Sequence, residues 1–379
     1  MRSICAVEGV TAAGIREGKY GLALIRASGT AAGVFTSNKV RAAPVEVMME
    51  RMRRGTLDAV VVNSGCANAY TGERGYRDAA EMCEIAGGAL GLDPASVGVA
   101  STGVIGRYLD LPRIHDQCGR VAPLLARSSE AEDAAARAIM TTDTFPKHAL
   151  FETESFSVGG ITKGSGMIAP NMGTMLAFIY TDAQVEAPVL RDILRQAARR
   201  SFNRVVVDGD TSTNDVAFCT ATGAAGRVDR AELARAVEAV CRDLAVQIAR
   251  DGEGATKLLE VTVRGAPDED AAAAVARTIV ASPLVKTAVY GEDPNWGRVV
   301  AAAGRAGVEF DHYAVSLSVG GTPLVLRGEI VADLGAANAA MRGATVAFDL
   351  DLAAGAGKAT AWGCDLTEKY VEINGKYTT

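Results

Sequence analysis

Apolar and polar positions alternate along this chain in two rhythms. Short apolar runs bounded by Gly, Asn and Asp occur at 20–26, at 57–62 and at 97–100. The first two read as strands, the third as a short buried segment. Between and after them, apolar positions three and four apart mark helices. One covers 76–90, with Ala79, Met82, Cys83, Ala86 and Leu90 on one face; two more cover roughly 111–126 and 130–140. Asp93 followed by Pro94 predicts a cap with proline at the first helical position. Thr141 to Lys147 is polar and reads as a loop, while Phe151 to Val158 alternates weakly enough to suggest a strand. A glycine-rich stretch from Gly159 to Gly173 then meets an apolar run, Met175 to Tyr180, which looks like a buried strand closed by Asp182.

The second half repeats the alternation. A helix is expected at 188–200, strands at 204–207 and 216–219, and a long helix at 230–250. In that long helix Leu233, Val237, Val240, Leu244 and Ile248 form one stripe. Asp229 with Glu232 three residues later resembles a capping box, and Asp251-Gly252-Glu253-Gly254 stops the helix. A strand at 258–263 and an Ala-rich helix at about 268–281 follow. Asp293 to Gly297 reads as a loop, and the remainder as short strands separated by glycine turns. Strands alternating with helices predict an α/β fold of layered mixed sheets and helices, with a smaller C-terminal α/β portion. The 379 residues fit two domains or one large one, and no low-complexity linker marks a hinge.

Composition narrows this picture. Hydrophobic residues make up 49% of the chain but aromatics only 5%, so the core must be built from Ala, Val, Leu and Ile. A net charge of −6 argues against non-specific nucleic-acid binding. The seven cysteines form no C-x-x-C pair and read as free buried thiols of a reducing cytosol. Charge appears too early after Met1 for a signal peptide, and no apolar run approaches the ~20 residues of a membrane helix. A cytoplasmic protein without membrane or nucleic-acid partners is the expectation. His115, His148 and His312 stand outside any motif, there is no H-E-x-x-H, and no metal or cofactor site is expected.

The shortage of motif histidines bears on the one odd hydroxyl, Thr174, at the join between the glycine-rich loop and the apolar run. A threonine hydroxyl is inert until a base takes its proton, and a chain that begins at that threonine supplies its own α-amine as base. Such an amine has a pKa of about 7.7–8.0 and works near neutrality without histidine. Cleavage before Thr174 would begin with attack of its Oγ on the Gly173 carbonyl, and glycine tolerates the geometry that this requires. Equally, a Gly-Thr pair at a strand start is ordinarily structural. Three other patterns compete. Lys163 in glycine-rich surroundings lacks the phosphate-loop spacing. Asp208-Gly209-Asp210-Thr211 after an apolar strand resembles the D-x-D-x-T of Mg²⁺ phosphatases, with Thr one place early, or is a polar loop satisfying its own backbone. Thr102-Gly103 offers donors for an oxyanion, or is an ordinary turn.

Taken together, the motifs resemble those of the glutamate N-acetyltransferase family of arginine biosynthesis, also called ornithine acetyltransferases. The resemblance is carried by Ser101 to Gly106, Thr141 to Thr144, Lys163 to Phe178, Asp208 to Asp215, Asp251 to Lys257, Gly291 to Arg298 and Trp362 to Thr367, nearly the whole chain. It implies a precursor that cleaves itself between Gly173 and Thr174 into an α chain, 1–173, and a β chain, 174–379, assembling as an α2β2 heterotetramer. It implies that Thr174 carries an acetyl group from N-acetylornithine to glutamate, with Thr102 and Gly103 as the oxyanion hole. Substrate contacts would be Thr141, Lys163, Thr174, Glu253, Asn374 and Thr379. No cofactor is implied, although acetyl-CoA as a second donor is left open. The family fold is shared with self-processing aminopeptidases. Two departures are visible: Gly173 stands where the family usually has Ala, and Ala169 where a His commonly precedes the loop proline. An N-terminal-Thr acyltransferase or amide hydrolase of specialised metabolism, and an uncleaved amino-acid-binding protein, are the rival readings.

Overall fold

The computed structural model describes residues 1, 3–169 and 175–376. The first part of the chain carries strands β1 (Thr11–Glu17), β2 (Tyr20–Phe35), β3 (Thr56–Cys66), β4 (Val97–Val104), β5 (Lys147–Glu152), β6 (Ser157–Lys163) and β7 (Leu176–Gln184). Its helices are α1 (Ala43–Arg51), α2 (Gly72–Leu90), α3 (Leu111–Val121) and α4 (Ser129–Ala138). The second part adds α5 (Ala187–Arg200), β8 (Val205–Val206), β9 (Val216–Arg227), α6 (Arg230–Arg250), β10 (Leu258–Ala266), α7 (Glu269–Val280), α8 (Pro283–Tyr290) and α9 (Trp296–Gly304). Strands β11 (Ser316–Val319), β12 (Thr322–Leu326) and β13 (Glu329–Ile330), helix α10 (Leu334–Met341), strands β14 (Thr345–Asp351) and β15 (Gly357–Cys364) and helix α11 (Glu368–Lys376) close it.

Two mixed sheets organise these elements. The larger runs β4-β3-β2-β9-β7-β6-β5, with β1 paired to β2; the smaller runs β13-β12-β11-β14-β10-β15-β8. In the larger sheet β7 lies parallel to β9 and antiparallel to β6, so the apolar run after residue 174 is a central, fully buried strand. Helices α1 to α4 cover one face of that sheet, and α5 and α6 cover the other. The stripe expected on the long helix is buried in full: Leu233, Val237, Val240, Leu244 and Ile248 are each at most 1% exposed. Helix α6 also packs on the second sheet. Leu258, Trp362 and Cys364 share its core, while Leu259, Val261 and Ala361 turn to the core under α7. The result is a sandwich of layers in which α6 serves both sheets.

Several expectations are corrected. Phe151 to Val158 is not one strand but the turn of the β5–β6 hairpin. Thr153 bends the chain: its Oγ1 accepts the N–H groups of Ser155 and Phe156, and its own N–H donates to the Phe156 carbonyl. The helix from 111 ends at Val121, because Pro123 cannot supply a helical N–H. Asp93 and Pro94 cap only a single 3₁₀ turn, Pro94–Ser96. The C-terminal portion contains helices where glycine turns were expected. Asn295, read as loop, caps α9 by accepting the Arg298 N–H, and Asp333 caps α10 through the Gly335 and Ala336 N–H groups. Among the described residues no single helix is long and apolar enough to cross a membrane. All seven cysteines are buried and free, and burial pushes the Cys118 thiol up to about 12.

Candidate active site

The site forms where strand ends of the larger sheet meet the loop after α6. Strand β6 does not run into a free glycine loop: Lys163 is its last residue, paired opposite Leu176 of β7, and it is 2% exposed. Its ammonium donates to Thr141 Oγ1 at 2.8 Å and lies 3.9 Å from Asp143 Oδ2. Burial lowers the pKa of Lys163 below the ordinary lysine value, while the Asp143 carboxylate pulls the other way. Asp143 in turn accepts the Thr141 N–H and the Gly164 N–H.

Beside this charged wall stands a neutral one. Strand β4 lies parallel to β3, with Gly103 opposite Gly65. Gly103 has φ of +132°, and a Cβ there would sit 2.3 Å from the Gly65 carbonyl carbon, so only glycine fits. Asn214 locks this strand end by donating to the Ser101 and Ala67 carbonyls at 2.8 and 2.6 Å. The next residue, Asp215, is fully buried and accepts the Met175 N–H at 3.0 Å; burial raises its pKa well above the usual carboxylate range.

The floor comes from the second half of the chain. The Glu253 N–H donates to the Ser165 carbonyl at 3.0 Å, and Asn374 on α11 donates to Glu253 Oε2 at 2.8 Å. Gly166 makes room for that carboxylate, since a Cβ would lie 2.3 Å from its carboxyl carbon. Together these elements enclose a cavity of about 260 Å³, lined by Thr102, Gly103, Thr141, Lys163, Glu253 and Asn374 and also by Ser212, Thr213 and Asn214. An ammonium on one side and a carboxylate on another, among hydroxyl and amide groups, suit a small molecule that carries both charges.

The structure thus brings together Thr102, Gly103, Thr141, Lys163, Glu253 and Asn374. Gly173, Thr174 and Thr379 lie outside the described residues, as does the boundary between 173 and 174. Asp208 has a different task from a phosphatase nucleophile. Its carboxylate accepts the N–H groups of Met167 at 2.5 Å, Ile168 at 2.9 Å and Asp210 at 3.1 Å, holding the 165–169 loop in place, with Met167 at φ of +57°. Among the described residues no group of three His, Cys, Asp or Glu side chains converges as a metal site. None of the three histidines lines the cavity. Residue-by-residue reading overlooked Asp143, Lys147 and Asp251, which lie behind the charged wall. Their one local signal is Asp143 and Lys147 four apart inside a segment read as loop.

Fold and site define an α/β enzyme with a polar pocket for a small charged substrate, built where two sheets share a helix. The chain belongs to the ArgJ family, whose model matches residues 7–379. It is 52% identical over 388 aligned positions to the glutamate N-acetyltransferase of Methanosarcina mazei, covering 99% of this chain and 98% of that protein. It is 48% identical to the arginine biosynthesis bifunctional protein ArgJ of Archaeoglobus fulgidus, covering 99% of this chain and all of that one. A crystal structure of arginine biosynthesis bifunctional protein argJ from Bacillus halodurans is 41% identical, with a TM-score of 0.51; 52% of this chain matches 96% of that one.

Proposed function

We propose that this acyltransferase moves an acetyl group from N-acetyl-L-ornithine to L-glutamate through an acetyl ester on Thr174, releasing ornithine and N-acetylglutamate. The observation that carries the reading is the single cavity that joins Lys163, Thr141, Glu253 and Asn374 to Thr102 and Gly103. Met175, next to Thr174 in sequence, donates its N–H to Asp215, the neighbour of the cavity-lining Asn214. The names of the relatives from Methanosarcina mazei and Archaeoglobus fulgidus support the same chemistry.

In this mechanism the free α-amine of Thr174 takes the proton of its own Oγ, and Oγ attacks the acetyl carbonyl. The negative charge that gathers on the carbonyl oxygen meets Thr102 and the Gly103 backbone. The amide C–N bond then breaks, and the ornithine amine leaves with the proton. Glutamate reverses the sequence: its neutral amine attacks the ester, the same donors hold the second oxyanion, and Thr174 regains its proton. An amide is exchanged for an amide, so no energy input is required. Lys163 with Thr141 holds the substrate α-carboxylate, and Glu253, oriented by Asn374, receives the ammonium of ornithine. Thr379 would complete the substrate contacts. The reading needs no metal or cofactor, and it is a cytoplasmic activity.

The α-amine exists only after cleavage. Attack of Thr174 Oγ on the Gly173 carbonyl gives an ester that water opens, leaving a Gly173 carboxylate, an α chain of 1–173 and a β chain of 174–379, paired as α2β2. One product of a cut near the middle would have the proportion seen for the Bacillus halodurans chain, which corresponds to only 52% of this one. Purified protein given acetylornithine and glutamate without acetyl-CoA should form ornithine and N-acetylglutamate; no acetyl transfer from a cleaved preparation sinks the reading. Ornithine released at the same rate without glutamate would mark an amide hydrolase instead. Adding acetyl-CoA with glutamate alone asks whether it is a second donor.

A further inference from the structure

Behind the cavity lies a buried set of charges that the transfer chemistry does not use. Lys147 is completely buried, with its ammonium 2.7 Å from Asp143 Oδ1 and 2.5 Å from Asp251 Oδ2. Asp251 also accepts the Thr144 N–H and hydroxyl, and its carbonyl accepts the Ser165 hydroxyl at 2.6 Å. Asp143 is the hinge of the set. One oxygen takes Lys147 and the Gly164 N–H at 2.6 Å; the other takes the Thr141 N–H at 3.0 Å and faces Lys163 at 3.9 Å. Burial alone would raise the Asp143 pKa, but Lys163 and Lys147 hold it well below the usual carboxylate range, so it is a fixed anion.

We propose that Asp143, clamped between Lys147 and the 164 backbone, is the positioning residue that keeps Lys163 charged and aimed with Thr141 at the substrate carboxylate. A lysine that is 2% exposed loses most of its hydration and discharges readily unless an anion faces it. The charges that act on Lys163 are Asp143, Lys147, Glu253 and Asp215. Of these, Asp143 is the anion that also fixes Thr141, the hydroxyl partner of the Lys163 ammonium. Lys147 contributes indirectly: it opposes the Lys163 charge, yet it anchors Asp143 and ties it to Asp251, two residues before Glu253. One buried network therefore sets both the carboxylate-binding and the ammonium-binding ends of the cavity.

The inference rests on the acetyl-transfer reading, and the experiment separates the two. In the full-length, self-processed protein, kcat/KM for acetylornithine is measured across pH for wild type, D143N, D143E and K163R. An opposite charge at this distance moves a pKa by about 1–3 units, so in D143N the alkaline limb should move down by about that much. KM should carry most of the loss above the limb. D143E, which keeps the anion, should restore the limb near its wild-type position, and K163R, which cannot discharge, should abolish it. A limb unmoved in D143N, with activity lowered equally at all pH values, would reduce Asp143 to a structural residue and overturn the inference. No transfer in the wild type would overturn the function first. Should D143N fail to fold, competitive acetic anhydride labelling of Lys163 in the wild type, read by mass spectrometry across pH, decides the matter. Lys163 protonated throughout the active range is expected, and Lys163 half-discharged at neutral pH overturns the inference.

Discussion

Each wall of the cavity has a buried carboxylate behind it, and the two are treated in opposite ways. Asp143, behind the charged wall, touches Lys147 and faces Lys163, and its pKa is held low. Asp215, behind the neutral wall, accepts the Met175 N–H, and burial drives its pKa well up. Both are as deeply buried as a side chain can be in this fold, so depth does not separate them. What separates them is a cation within contact distance, because in a low-dielectric interior the partner charge outweighs the lost hydration only at close range. The charged wall can therefore present a full positive charge to a substrate, while the neutral wall presents backbone and hydroxyl dipoles.

The largest effect on this contrast should come from Lys147. Lys147→Met removes the cation shared by Asp143 and Asp251 and leaves two buried carboxylates without it. Removing one partner of a buried pair costs about 3–5 kcal/mol, and chemical denaturation at pH 7 should show a loss of that order. A variant as stable as wild type would mean that Asp143 is already neutral in the fold, contrary to its low pKa.

The two carboxylates predict opposite pH trends. The folded pKa of Asp143 lies below its unfolded value, so its stabilisation is present above the unfolded pKa and is lost as pH falls through the folded one. Asp143→Asn should therefore be less stable than wild type near neutrality, with the deficit shrinking toward acid pH. The folded pKa of Asp215 lies above its unfolded value, so its ionisation opposes folding above that pKa and the penalty disappears as pH falls. Asp215→Asn keeps an acceptor for the Met175 N–H, and should gain stability at pH 8 relative to wild type and lose that gain toward pH 4. Thermal unfolding of both variants across pH checks the pair; trends of the same sign would erase the distinction between the walls.

Much of the scaffold behind these walls was legible in the sequence. The α6 stripe repeats over about four turns, and the run at 175–180 is apolar at every position, so burial on all sides follows. The short elements were not legible. Helices α9 and α10 owe their starts to Asn295 and Asp333 capping backbone N–H groups, and such residues read equally as turns. The hairpin turn at Thr153 is likewise made by one side chain. In the site, the cavity residues were named by family motif, since Thr102 and Gly103 alone are an ordinary turn. The Asp143–Lys147–Asp251 set escaped because Lys147 and Asp251 stand 104 positions apart, and only the fold of β5 against α6 brings them together. Asp208 misled for the converse reason: Asp208 and Asp210 do follow a buried strand, but the Asp208 carboxylate is spent on three backbone N–H groups.

Further along the charged side, Glu253 is only partly buried, and the proposed mechanism gives it a part in recognition more than in stability. Glu253→Gln keeps the shape and the Asn374 contact but removes the charge. A charge-assisted hydrogen bond contributes about 1.5–3 kcal/mol, so KM for acetylornithine should rise by roughly tenfold to a hundredfold, with unfolding unchanged. Equal losses for substrates with and without a terminal ammonium would detach Glu253 from that role.

The smallest effect belongs to Asn374, which sharpens the same point from the exposed end of α11. Its amide donates to Glu253 Oε2 and to the Tyr370 carbonyl at 3.1 Å, so it fixes the direction of a carboxylate without adding charge. Asn374→Ala removes one neutral donor, which is worth about 0.5–1.5 kcal/mol, and KM for acetylornithine should rise only about twofold to tenfold. Because Asn374 is exposed, the melting temperature should not move. Because no charge changes, the alkaline limb assigned to Lys163 should stay where it is. A shift of that limb in Asn374→Ala would show that the floor of the cavity, and not Asp143, governs the charge on Lys163.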